Sequence, residues 1–150
     1  MCGICGLTWN DSNLIRKMGQ KIQHRGPEQE GFFFDDHVSL CCERLKILDL
    51  SENAKQPQHN EDSSVWVVLN GEIYNFQELA EINGWMDVDS DTLLLAKLID
   101  KYGVKAAVSS IYGAVSITYC NIENGLVYLF RDSWGQKPLY YSTDDNELIV

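Results

Sequence analysis

Along this chain the hydrophobic positions change period several times, and each change marks an element. Residues 4–9 suit a first strand, after which Asp11 or Ser12 caps a helix whose apolar positions Leu14, Ile15, Met18 and Ile22 share one face. The polar residues 24–29 form a loop. Phe32-Phe33-Phe34 and residues 38–45 read as neighbouring strands, a long irregular stretch runs to His59, and 65–69 is a short strand of the buried type. Asn70-Gly71 is the expected end of that strand. A short helix over 76–82 closes at Asn83-Gly84, and Ser90-Asp91 caps a stronger one over 92–102 with Gly103 as its stop. The remainder alternates as strands: 114–120 and 126–130 across Asn124-Gly125, then 139–142 and 147–150 across 144–146. About eight strands with two or three helices, joined mostly as hairpins, predict an α+β layered fold in preference to a parallel doubly wound one. No repeat, low-complexity tract or linker divides the chain.

Composition narrows the setting. A length of 150 residues suits one domain with a core of its own, and no apolar run approaches the span of about 20 residues that a bilayer requires. Twelve basic against 22 acidic residues give a net charge of −10, which repels phosphate backbones and anionic lipid. Nucleic acid and membrane are therefore poor partners; small molecules and proteins are better ones. No basic segment followed by an apolar stretch marks a secretory signal. Five cysteines, an odd number that includes the adjacent pair Cys41-Cys42, predict free thiols in a reducing cytoplasm.

The candidate chemistry begins at the amino terminus. Removal of Met1 would leave Cys2 with a thiol and a free α-amine on one residue, a nucleophile that carries its own base. Cys2 also begins a Cys-x-x-Cys pair with Cys5. A redox pair of that spacing normally opens a helix, and a zinc site needs a second ligand pair, which the adjacent Cys41-Cys42 and the scattered His24, His37 and His59 do not supply. Cys5 reads as a small buried strand residue. At the end of a buried strand, the Asn70 carboxamide and the Gly71 N–H can converge on a developing oxyanion, or the dipeptide can simply be a turn. Arg44, between apolar neighbours, suits a carboxylate clamp or a solvated strand-edge charge. Asp91 can meet a ligand ammonium or cap a helix.

Six ordered segments bind these residues together: Cys2-Gly3-Ile4, His24-Arg25-Gly26-Pro27, Arg44-Leu45-Lys46-Ile47, Asn70-Gly71-Glu72-Ile73-Tyr74-Asn75, Ser90-Asp91-Thr92, and Arg131-Asp132 followed by Gly135 and Lys137-Pro138-Leu139-Tyr140-Tyr141. In this order the chain resembles the class II glutamine amidotransferases nearly end to end. Pro27 and the Lys-Pro-Leu-Tyr-Tyr run make it similar to the asparagine-synthetase branch of that family. The resemblance implies an N-terminal nucleophile hydrolase fold, a four-layer αββα sandwich of antiparallel sheets. It implies that Cys2 is the nucleophile, that Asn70 and Gly71 form the oxyanion hole, and that Arg44 holds the glutamine α-carboxylate. It further implies that Asp91 and Glu72 lie near the α-ammonium and that Leu45, Ile47 and Leu48 line the glutamine pocket. No metal and no cofactor belong to such a site.

Residues 1–150 are then expected to be a single amidotransferase domain, truncated or minimal, without the synthetase domain and its pyrophosphate loop. Glu43 stands where the family usually has a basic residue, and Glu28 where an aspartate is frequent after His-Arg-Gly-Pro. The expected activity is hydrolysis of L-glutamine to glutamate and ammonia through a γ-glutamyl thioester on Cys2, with the ammonia passing to a separate synthetase or acceptor subunit. The alternative is a non-catalytic glutamine-binding module built on the same fold.

Overall fold

Two antiparallel sheets carry the molecule. The structure, a computed structural model, describes residues 1–46, 54–144 and 147–150. The first sheet is built from β1 (Gly3–Leu7), β2 (Gln29–Phe34), β3 (Ser39–Arg44), β8 (Ser142–Asp144) and β9 (Glu147–Ile149), in the spatial order β2-β3-β1-β9-β8. The second contains β4 (Gln58–His59), β5 (Val65–Ile73), β6 (Gly113–Asn121) and β7 (Leu126–Arg131) in sequence order. Helix α1 (Ser12–Ile22) follows β1; α2 (Phe76–Asn83), α3 (Asp91–Tyr102) and α4 (Val104–Ser110) lie between β5 and β6.

Period-two alternation sorts the strand residues into three apolar layers. Cys5 and Leu7 of β1 and Cys41 of β3 pack outward against Ile15 of α1, while Leu40 and Cys42 turn inward to meet Val68 and Cys120 of the other sheet. Val65, Val67, Leu69 and Ile73 of β5 and Val115 and Ile117 of β6 face the opposite way, onto Leu94, Leu95, Leu98 and Ile99 of α3. The layers therefore run helix, sheet, sheet, helix. Among the described residues no helix is long and apolar enough to cross a membrane.

Local chemistry explains the boundaries. Asp11 caps α1 by accepting hydrogen bonds from Asn13 N at 3.1 Å and Leu14 N at 2.8 Å, and Ser90 caps α3 by accepting from Leu93 N at 3.4 Å. Gly84 closes α2 in the left-handed conformation. Gly103, at φ +79°, ends α3 and also starts α4, its carbonyl accepting from Ala107 N at 3.1 Å. The stop predicted there is real, but seven residues are too few for their helical period to announce α4.

Two expectations change. Asn70-Gly71 does not end its strand: β5 continues to Ile73, with Asn70 opposite Ser116 and Gly71 opposite Val115. A hairpin turn there would need positive φ at both residues, and only Gly71 has it, at +144°. Residues 139–141 lie outside any strand, and the strand begins at Ser142. Their approach is fixed differently, since the Ser116 hydroxyl donates to the carbonyls of Lys137 at 2.8 Å and Pro138 at 3.1 Å. Residues 145–146, in the predicted final turn, lie outside the described residues.

Candidate active site

Cys2 precedes β1 at the mouth of the inter-sheet core, and Arg25 of a 3-10 turn (Gln23–Arg25) donates from Nε to its carbonyl at 3.2 Å. Gly26 lets that turn lie against β3, because a Cβ there would collide with the Glu43 carbonyl. The His-Arg-Gly motif thus holds the main chain of residue 2, a role the sequence pattern does not disclose.

The Cys2 thiol lies 3.9 Å from the Leu45 carbonyl and is nearly buried. Its pKa falls to about 6, chiefly because the Cys42 thiol hydrogen-bonds to it; the Leu45 main chain, the amino terminus and Arg44 add to that effect, while burial opposes it. Cys42 is pushed well up in return by Cys2 and by its complete burial. Cys5, by contrast, faces the α1 side with Cys41, so the Cys-x-x-Cys pair points to opposite faces of its sheet. All five cysteines are free.

Cys2, Arg44, Leu45, Gly71, Glu72 and Asp91 line one cavity of about 60 Å³. Arg44 is buried, donating from Nη1 to Gln29 Oε1 at 2.7 Å across the β2–β3 pair. Glu43 is directed to the other face, toward α1, so its replacement of a basic residue does not reach the cavity. Glu28 accepts from Lys46 N at 2.7 Å and secures the chain just beyond Arg44. Asp91 both begins α3 and faces the cavity; burial raises its pKa, against hydrogen bonds from Ile73 N and Thr92. Ile47 and Leu48 lie outside the described residues.

The edge of β5 shows how Gly71 comes to face this cavity. Val115 gives its N–H and carbonyl to Asp132, so Gly71, its partner, belongs to a pair whose β5 amide points away from β6. Two residues to either side, the amides point the same way and are taken: Leu69 N donates to Gln56 Oε1 at 2.7 Å and Ile73 N to Asp91 Oδ2 at 3.1 Å. The Gly71 amide lies between them, toward the cavity. Any larger residue at 71 would drive its Cβ into the Ala114 carbonyl.

Asn70 points inward, is buried, and lines a neighbouring cavity of about 490 Å³ in place of the small one. Its Oδ1 has no hydrogen-bond partner among the described residues, nor has Arg25 Nη2. A buried orphan of this kind costs roughly 1–3 kcal/mol. Met1, Ala54, Gln56, Ser90, Thr92 and Lys137 complete the small cavity. Nothing in the hydrophobic period marks Gln56, which lies in the irregular stretch before β4. Lys137 was legible only as part of a motif; Asp132 holds its segment, Oδ1 accepting from Trp134 N and Gln136 N and Oδ2 from Lys137 N.

The sequence matches the glutamine amidotransferase domain family over residues 1–150. The chain belongs to that family. It is 38% identical over 160 residues to asparagine synthetase [glutamine-hydrolyzing] 1 of Bacillus subtilis, covering 99% of this chain and 25% of that protein. The asparagine synthetase [glutamine-hydrolyzing] of Gallus gallus is 31% identical over 159 residues, covering 100% of this chain and 28% of that protein. The chain thus spans about a quarter of the length of these curated relatives. A solved structure of glutamine phosphoribosylpyrophosphate amidotransferase from B. subtilis superposes with a TM-score of 0.74 at 17% identity, over 99% of this chain and 41% of that one. That likeness bears on the fold, and the antiparallel sheets between helical layers are those of the N-terminal nucleophile amidotransferases. Membership of the family makes the chain a glutamine amidotransferase domain.

Proposed function

We propose that this amidotransferase domain hydrolyses L-glutamine at the small cavity through a covalent γ-glutamyl thioester on Cys2, after removal of Met1, and that the ammonia serves a separate acceptor reaction such as asparagine synthesis. The observation that carries the reading is the pairing of a thiol with a depressed pKa and an outward-facing Gly71 amide on one cavity.

The steps follow from the residues. The Cys2 thiolate attacks the side-chain amide carbon, and the oxygen's developing charge meets the Gly71 N–H. Asn70, which precedes Gly71 on β5, adds a second donor, its carboxamide turning for this from the neighbouring cavity toward the substrate oxygen. The α-amine of residue 2 delivers a proton to the departing ammonia, and water then opens the thioester. Arg44 pairs with the glutamine α-carboxylate. Asp91 and Glu72 face the α-ammonium; both Asp91 oxygens already accept one bond each, and a carboxylate retains acceptor sites beyond those. Trp134, Tyr140 and Tyr141, on the segment that carries Lys137, are exposed aromatic side chains of the sort a partner subunit covers.

Mass spectrometry of the mature amino terminus, with ammonia release from glutamine and labelling by diazo-oxo-norleucine, tests this. A processed terminus, labelling at Cys2 and loss of turnover in Cys2→Ala are expected. Retained Met1 with glutamine binding but no ammonia would move the chain to a binding module.

A further inference from the structure

Cys42 stands on the inward face of β3, two residues before Arg44, and packs with Cys2 in the inter-sheet core. Across the β1–β3 pair Cys42 is opposite Ile4, so Cys2 is its diagonal neighbour on the same face. Cys2 precedes the paired residues of β1, which leaves its backbone free of the strand ladder. Only Cys2 of the pair lines the small cavity; Cys42 is wholly enclosed behind it. A cavity of about 60 Å³ accepts a molecule the size of hydrogen peroxide.

We propose that Cys2 and Cys42 are a peroxide-sensitive pair that closes to a reversible disulfide and so masks the nucleophile. The Cys2 thiolate attacks one oxygen of hydrogen peroxide and the O–O bond breaks. Hydroxide leaves, and the Cys2 sulfur is oxidised to a sulfenic acid as the peroxide is reduced. The Cys42 sulfur then displaces the sulfenic hydroxyl, which departs as water with the Cys42 proton, and the S–S bond forms. The hydroxide from the first step takes up the proton that Cys2 gave on ionising. Two thiols and one peroxide have become a disulfide and two waters. A sulfenic acid without a neighbouring thiol would proceed to the irreversible sulfinic acid, so Cys42 preserves the nucleophile by capturing it.

The molecule holds a second thiol pair that the experiment must separate. Cys5 and Cys41 are directly opposite in the same two strands, on the other face. Trypsin leaves Cys2 with Cys5 and Cys41 with Cys42, on peptides 2–16 and 26–44 of the processed chain, so a cross-link between these peptides is ambiguous. The protein carrying Cys5→Ala and Cys41→Ala removes the ambiguity. Treated with hydrogen peroxide, it is expected to yield the linked peptides with a loss of about 2 Da against the two free thiols, and its glutaminase activity should fall and return with dithiothreitol. Adding Cys42→Ala should abolish the link, carry Cys2 to the sulfinic acid and make the loss permanent, each protein being compared with its own untreated sample. If the alanine replacements disturb folding, tandem fragmentation between Cys2 and Cys5 of the oxidised parent protein locates the bond. The proposal is overturned if Cys2 reaches the sulfinic acid equally fast with and without Cys42, or if the bond joins Cys5 to Cys41 alone. The bond assignment is read by mass, so it stands or falls separately from the glutaminase reading.

Discussion

In the proposed reaction Cys2 acts as a thiolate, and its titration governs turnover from the acid side. Thiolate is lost as pH falls through the lowered pKa, so alkylation of Cys2 should persist to lower pH than that of an ordinary thiol, with its midpoint near 6 while Met1 is in place. Cys42→Ala removes the chief influence that lowers this pKa, and the midpoint should move to higher pH; an unmoved curve would mean that the Leu45 main chain, the amino terminus and Arg44 suffice. Asp91 sets a second limit. Because burial raises its pKa, it becomes neutral at a higher pH than an ordinary carboxylate, and the KM for glutamine should climb in weak acid while kcat follows the thiol. Asn70→Ala should lower kcat by about 10²- to 10³-fold with little effect on KM, since the donor is used when charge develops. Arg44→Ala should instead raise KM, by an amount equivalent to roughly 1.5–3 kcal/mol. A purely KM defect in the Asn70 variant would return that residue to a structural role.

At the scale of elements, the critical stretch is the β5 edge from Leu69 to Ile73. Gly71→Ala forces a Cβ against the Ala114 carbonyl at a φ that side chains avoid, so it should cost more than about 1 kcal/mol in urea unfolding and turnover should fall with it. The caps of α1 and α3, the hairpin at Asn124-Gly125 and the alternation of β5 and β6 were legible because each is decided by neighbours in sequence. The continuation of β5 through Asn-Gly was not, because it depends on Ser116 and Val115, more than 40 residues away, supplying a ladder for what otherwise reads as a turn. The cavity divides along the same line. Cys2, Arg44, Gly71, Glu72 and Asp91 announced themselves through ordered motifs. Gln56 did not, since its only distinction is that its side chain reaches Leu69 N from an irregular stretch. Arg25 was visible as a motif residue, but its hold on the Cys2 carbonyl is a tertiary fact.

For the molecule as a whole, the two sheets and their helical covers account for the described residues, and the sequence contains no pyrophosphate-binding loop. These 150 residues expressed by themselves should therefore release ammonia from glutamine without ATP or aspartate and make no asparagine, a result that labelled aspartate can check. The order in which the layers mature has its own consequence. The second sheet is contiguous, β4 to β7, and its partners are complete once β7 has been synthesised. The first sheet is not: β1 pairs on one side with β3 and on the other with β9, where Leu7 meets Ile149 and Gly6 exchanges both main-chain bonds with Val150. Pairing at such sequence separation is slow to form. Strand β1 is thus synthesised long before β9, and its edge at Gly6 and Leu7 stays an unfilled strand position until residues 147–150 arrive.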